Sequence, residues 1–230
     1  MKNMKKFALI FMFVSVLGFV FVSVLPGLTA VAKANPIQAF NLSGAVQKFD
    51  GRMGDYFTVN TPIQVTALGV FDNGSALPNG SSIDVGIFDP SGNLLESETI
   101  TSSSSLTQDG NFGFVTLNSP LTLNAGSDYS IAAVGFGPNN PDANTTLSST
   151  VTLNDGGGLI SFPTNPSGWW DKQTQLGTAV GTSVTKQNAY FGGGSFLYQA
   201  DPVPEPATIL LVGVGLLGLA AVSRKKTHNK

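Results

Sequence analysis

"IDVGIFDPSGNLL" (residues 83–95) is the stretch whose reading decides the fold. Ile83, Val85 and Ile87 alternate with Asp84 and Gly86, which gives an extended segment one apolar face. Asp89-Pro90-Ser91-Gly92-Asn93 then supplies residues that reverse a chain, and Leu94 resumes an extended run. This reads as a β-hairpin. Glu96 and Glu98 fall on one face of its second strand.

The same grammar continues on both sides. Phe57 and Val59 alternate after Asp55, and Val65 to Phe71 is an extended run stopped by Asp72-Asn73-Gly74. Phe112-Gly113-Phe114 and Val115-Thr116-Leu117 follow a turn at Asp109-Gly110-Asn111. Leu123 leads through Gly126 into Tyr129 to Val134, and Phe191 to Tyr198 reads as a closing strand. Pro138 to Thr185 is looser. Helical periodicity is absent between the two ends, and turn clusters recur at the spacing of an all-β, jelly-roll-like sandwich. The expected organisation is a leader at 1–34, a β-sandwich at 35–200 and a C-terminal signal at 201–230.

Charge narrows the partners. Between Asn35 and Pro202 stand thirteen Asp and Glu against four Lys and Arg, a formal charge of −9. Nucleic acid needs a basic footprint and is excluded as a partner. The chain has no cysteine, which removes disulfides, thiolate catalysis and Cys-based zinc sites. Its one histidine is His228, far outside the central region, so a Ser-His-Asp site or a His-based metal site is excluded there. Carboxylate chemistry remains, with Glu96 and Glu98 as the candidates for a glycan hydrolase. A solvated strand face is the favoured account of both, and the expectation is a protein that is not an enzyme and has no catalytic residues.

The N-terminal end has the three parts of an export signal. Lys2, Lys5 and Lys6 precede an apolar run from Phe7 to Leu25, and Ala32-Lys33-Ala34 offers small residues for signal peptidase. Cleavage is expected after Ala34, with Ala30-Val31-Ala32 as a second site. An uncleaved anchor is the alternative, because the run is long enough to span a bilayer.

The C-terminal end is "VPEPATILLVGVGLLGLAAVSRKK" (residues 203–226). Ala207 to Val222 would extend about 24 Å as a helix, short of a ~30 Å hydrocarbon core, with snorkelling Arg224, Lys225 and Lys226 making up the difference. Those basic residues act as a stop-transfer cluster and stay on the cytoplasmic side. Pro204-Glu205-Pro206 holds the preceding backbone extended and accessible. Gly213, Gly215 and Gly218 spell a dinucleotide fingerprint, but inside an apolar helix with no strand before it they are membrane-helix glycines.

This tail resembles the PEP-CTERM sorting signal of exported bacterial proteins: a Pro-Glu-Pro motif, an apolar helix and a short basic terminus, in that order. The resemblance implies that Pro204, Glu205 and Pro206 are recognised by an exosortase-type membrane enzyme that removes the tail. It further implies transient membrane attachment and a destination at the cell surface or in an exopolysaccharide matrix (a biofilm setting), with a structural or adhesive role. "YFGGGSFLYQ" (residues 190–199) and the hairpin pieces likewise resemble the jelly-roll modules that carry this tag. A plain C-terminal anchor is the alternative reading of the tail.

Two surface features complete the candidates. Trp169 and Trp170 follow Pro166 in a stretch expected to be a loop, where a pair of indoles could stack on sugar rings or cap the core. Asp72-Asn73, Asn140-Pro141-Asp142 and Asn154-Asp155-Gly156 could hold a structural Ca²⁺ through oxygen ligands, though none has EF-hand spacing and all are turn formers. No cofactor is expected.

Overall fold

The strands follow the alternating stretches, because a period of two places every second side chain on one face of a pleated segment. A computed structural model describes residues 35–147, 149–165, 168–177 and 184–202. Three short pieces come first: β1 (Ile37–Gln38), β2 (Phe40–Ser43) and β3 (Val46–Gln47). The first long strands are β4 (Arg52–Val59) and β5 (Ile63–Phe71), followed by the hairpin of β6 (Ser82–Phe88) and β7 (Leu94–Thr101). Next come β8 (Thr107–Asp109), β9 (Phe112–Leu123) and β10 (Ser127–Val134). The looser region contains β11 (Asp142–Ala143), β12 (Thr150–Leu153), β13 (Ile160–Ser161), β14 (Gly168–Asp171) and β15 (Thr185–Gln187). The closing strand is β16 (Gly194–Ala200). The described residues contain no α-helix and are predominantly β.

Two sheets account for the long strands. One has the order β1-β16-β5-β9-β8, and the other β15-β14-β4-β10-β6-β7 with β13 also on β4. Every pairing is antiparallel, and two-stranded pieces β11-β3 and β12-β2 lie beside them. Asp89 sets the β6–β7 turn. Its Oδ1 accepts from the N–H groups of Ser91 and Asn93, each at 2.8 Å, which is the Asx chemistry expected of that position. Asp72 acts alike, with Oδ1 accepting from Gly74 N–H at 3.0 Å while Asn73 takes a left-handed φ of 57°.

The two sheets share one core. Met53, Phe57 and Val59 of β4 point into it with Ile83, Val85 and Ile87 of β6, Ile131 of β10 and Phe196 and Tyr198 of β16. Phe57 and Phe196 come from opposite sheets and have ring centroids 4.6 Å apart. A Cβ added at Gly194 of β16 would stand 2.8 Å from Val85 and 3.0 Å from Ile131, so glycine permits that close approach. Phe40 meets Phe112 and Phe196 edge-to-face at 6.4 and 6.5 Å, a geometry worth about 0.5–1.5 kcal/mol per pair beyond simple burial.

The face of the larger sheet turned away from this core carries a second cluster: Phe88, Ala132, Val134, Trp169 and Leu176, with Tyr56 against it. Gly54 of β4 is its seat, because a Cβ there would come within 2.8 Å of the Trp169 ring and still closer to the Ile131 carbonyl. Arg52 closes the cluster. Its guanidinium bonds Asp171 at 2.6 Å, donates to the Leu176 carbonyl and stands 5.3 Å from the Trp169 ring centroid.

Replacing Gly54 by alanine should therefore overpack this seat and cost about 1–3 kcal/mol. Thermal denaturation of Gly54→Ala should show a Tm several degrees below wild type. An unchanged Tm would mean that Trp169 does not occupy this position.

Candidate functional site

Trp169 and Trp170 do not form a platform. The loop expected there is strand β14, paired with β4 so that Trp169 lies opposite Gly54 and Trp170 opposite Met53. Alternation along a strand sends the two rings to different sides. Trp169 has 0% exposure within the outer cluster, whereas half-buried Trp170 packs on Phe49 with centroids 5.5 Å apart. Lys172 Nζ stands 5.7 Å from the Trp170 centroid. The core-capping reading is the one the geometry carries, and exposed, coplanar indoles are absent.

A different set of residues lines a groove of about 560 Å³ on the same outer face. Tyr56 and Thr58 of β4 point outward because Phe57 and Val59 point into the core. The antiparallel register sets Ser130 opposite Tyr56 and Asp128 opposite Thr58. Thr58 Oγ1 donates to Asp128 Oδ1 at 2.5 Å. The β6–β7 turn contributes Asp89, Pro90 and Gly92, and Lys186 of β15 reaches in from the other side. Lys186 Nζ stands 5.1 Å from the Tyr56 ring centroid. Ser130 is only 2% exposed and its Oγ has no hydrogen-bond partner among the described residues. Burial raises the Tyr56 hydroxyl above the ordinary tyrosine range, so it remains a neutral donor and acceptor.

The domain ends on hydrogen bonds. Asp201 N–H donates to the Pro62 carbonyl at 2.9 Å and Asp201 Oδ1 accepts from Gln64 Nε2 at 2.8 Å. Immediately beyond, residues 202–225 match the PEP-CTERM protein-sorting motif. The chain carries a PEP-CTERM sorting domain. Such a domain implies an exported protein processed at the membrane by exosortase. No curated protein matches the chain. Ala32, Ala34, Pro204, Glu205, Pro206, the apolar run 207–222, Arg224, Lys225 and Lys226 lie outside the described residues. Among the described residues no helix is long and apolar enough to cross a membrane.

The turn acids singled out from sequence have structural partners. Asp155 Oδ1 accepts from Gly157 N–H at 2.9 Å, and Asn154 Oδ1 from Gly156 N–H at 3.1 Å. Asp72 Oδ2 accepts from Gln108 Nε2 at 2.6 Å. Among the described residues no group of three or more His, Asp or Glu could hold a metal ion. Glu96 and Glu98 share a face of β7, both half-buried, opposite Ile87 and Val85.

Two carboxylates are buried where sequence reading did not expect it: Asp55, which it did not single out, and Asp142, which it took as a turn former or calcium ligand. Asp55 lies inside the core, where both its oxygens accept from Phe191 N–H at 3.2 and 3.3 Å. Burial pushes its carboxyl well above the usual range. Asp142 has 0% exposure and accepts from Gln47 Nε2 at 2.7 Å and Phe49 N–H at 3.3 Å, fastening β11 to β3. Its burial outweighs those bonds and raises its pKa to about 6. Asp55 betrays itself only as an acid at an inward position of an alternating strand, between Met53 and Phe57.

A carboxyl whose folded pKa is raised binds its proton more tightly in the native state than in the unfolded chain. Stability is then highest below the unfolded value and falls as pH rises through the folded one. For Asp142 that window runs from 3.8 to about 6, and a shift of this size corresponds to about 3 kcal/mol. Asp55 and Asp72 shift in the same direction. Urea denaturation should give lower stability at pH 8 than at pH 5, and Asp142→Asn should narrow that difference. A wild-type protein more stable at pH 8 would reverse the assignment.

Proposed function

We propose that this chain is the precursor of an exported, non-enzymatic β-sandwich protein, with a structural or adhesive role at the cell surface or in an exopolysaccharide matrix. Signal peptidase removes residues 1–34, the central domain folds outside the inner membrane, and an exosortase-type enzyme recognises Pro204-Glu205-Pro206 and removes the tail. The observation that carries the reading is the sorting motif at residues 202–225. The apolar run at 207–222 followed by Arg224, Lys225 and Lys226 supports membrane retention until processing.

The jelly-roll reading of the domain is supported by strand order. The series β1-β16-β5-β9 in one sheet and β4-β10-β6-β7 in the other is what two antiparallel Greek keys produce when their sheets enclose one core. A net acidic domain with a groove of polar side chains suits an extracellular, hydrated setting.

The test is the intact mass and location of the protein in its host. Wild type should lose both ends and appear outside the inner membrane. The Pro204→Ala/Glu205→Ala/Pro206→Ala variant should keep its tail and remain with the membrane. If wild type also keeps its tail, the segment is a plain anchor and the sorting reading fails.

A further inference from the structure

We propose that the groove on the outer face of the larger sheet is a binding site for a neutral saccharide, held by Tyr56, Thr58, Asp128 and Ser130. The inference deepens the reading of an exported protein in a polysaccharide setting and rests on it for the ligand's source. Its geometry stands independently.

Four observations select the ligand class. The groove, of about 560 Å³, falls within the range of small-ligand sites, about 300–1,000 Å³. Its wall is one half-buried aromatic ring, Tyr56, beside hydroxyl and carboxylate groups, the combination that fits a ligand with an apolar C–H face and a rim of hydroxyls. Ser130 is nine-tenths buried or more on the groove side of β10, with an Oγ that nothing among the described residues satisfies. Such orphaned hydroxyls are uncommon in folded proteins and call for a partner. Asp128 takes a hydrogen bond from Thr58 and retains acceptor capacity for ligand hydroxyls.

The same chemistry rejects other occupants. Asp89 and Asp128 with a single Lys186 leave the groove net acidic, so an anionic sugar or phosphate is repelled. A divalent cation would find few free oxygens, because Asp89 already accepts three hydrogen bonds in the β6–β7 turn and Asp128 alone keeps most of its capacity. A polyol whose hydroxyls both donate and accept satisfies every group present. Lys186, exposed on β15 and resting over the Tyr56 ring, swings away as the sugar takes that face.

The experiment is titration of the full chain, purified unprocessed in phosphocholine micelles, with cellohexaose, maltohexaose and mannohexaose, and with hexagalacturonate as the acidic control. Saturation-transfer NMR and calorimetry read the binding. At least one neutral hexasaccharide should bind, and hexagalacturonate should not. Tyr56→Ala and Asp128→Ala should each weaken binding about ten-fold or more, Tyr56→Phe less than Tyr56→Ala, and Trp170→Ala not at all. Asp128 is exposed, so its variant tests the site even if Tyr56→Ala fails to fold. The proposal is overturned if no neutral probe binds, if hexagalacturonate binds more tightly, or if Asp128→Ala binds like wild type. Because the chain is unprocessed, none of these results depends on whether the tail is cut in the host.

Discussion

The outer face of the larger sheet depends on a side chain that is missing. Gly54 leaves room for Trp169 to lie across β4, and that contact lets β14 join the sheet as an added strand. From there the covering is built outward: Arg52 over the indole, Asp171 on Arg52, and Leu176 over Gly86. The charged pair is almost wholly buried, with side-chain exposures of 3% and 10%. Such a pair gains little by itself and becomes costly when one partner is lost. Its value here is positional, fastening an irregular segment to a regular sheet. Where the covering stops, past Tyr56, the groove begins.

Much of the scaffold was legible because it obeys local rules. The β6–β7 hairpin could be read from Ile83, Val85 and Ile87 and from Asp89, whose carboxylate makes the turn bonds its position calls for. β5, β10 and the closing strand likewise followed from alternation. The Pro138 to Thr185 stretch was not legible in the same way, since β11 to β14 are two to four residues long and owe their form to partners far off in sequence. Two or four residues cannot display a period.

The candidate site was harder for the same physical reason. A Trp-Trp pair after a proline reads as an exposed aromatic patch, and nothing nearby in sequence announces the glycine more than a hundred residues earlier that takes one indole inside. Tyr56, Thr58, Asp128 and Ser130 are ordinary residues until the register of β4 against β10 sets them in two facing pairs. The sorting tail is the opposite case. It is read as a linear motif, so its order of residues carries its meaning without any folded context.

The two ends of the domain are neighbours. Ile37 of β1 pairs with Tyr198 of β16, and β16 runs between β1 and β5 in the interior of its sheet. A chain crossing a membrane from its N-terminus delivers β1 to β10 long before β16. Until β16 arrives, β5 lacks one of its two neighbours and the phenylalanines around Phe196 lack their centre. The last strand is thus a keystone, set only when translocation has reached the threshold of the sorting tail. In a chain exported from its N-terminus, completion of the fold and presentation of the tail would be consecutive moments of one event, and a chain truncated before β16 would be left as an open sandwich with β1 and β5 short of a neighbour, a substrate for proteolysis rather than for sorting.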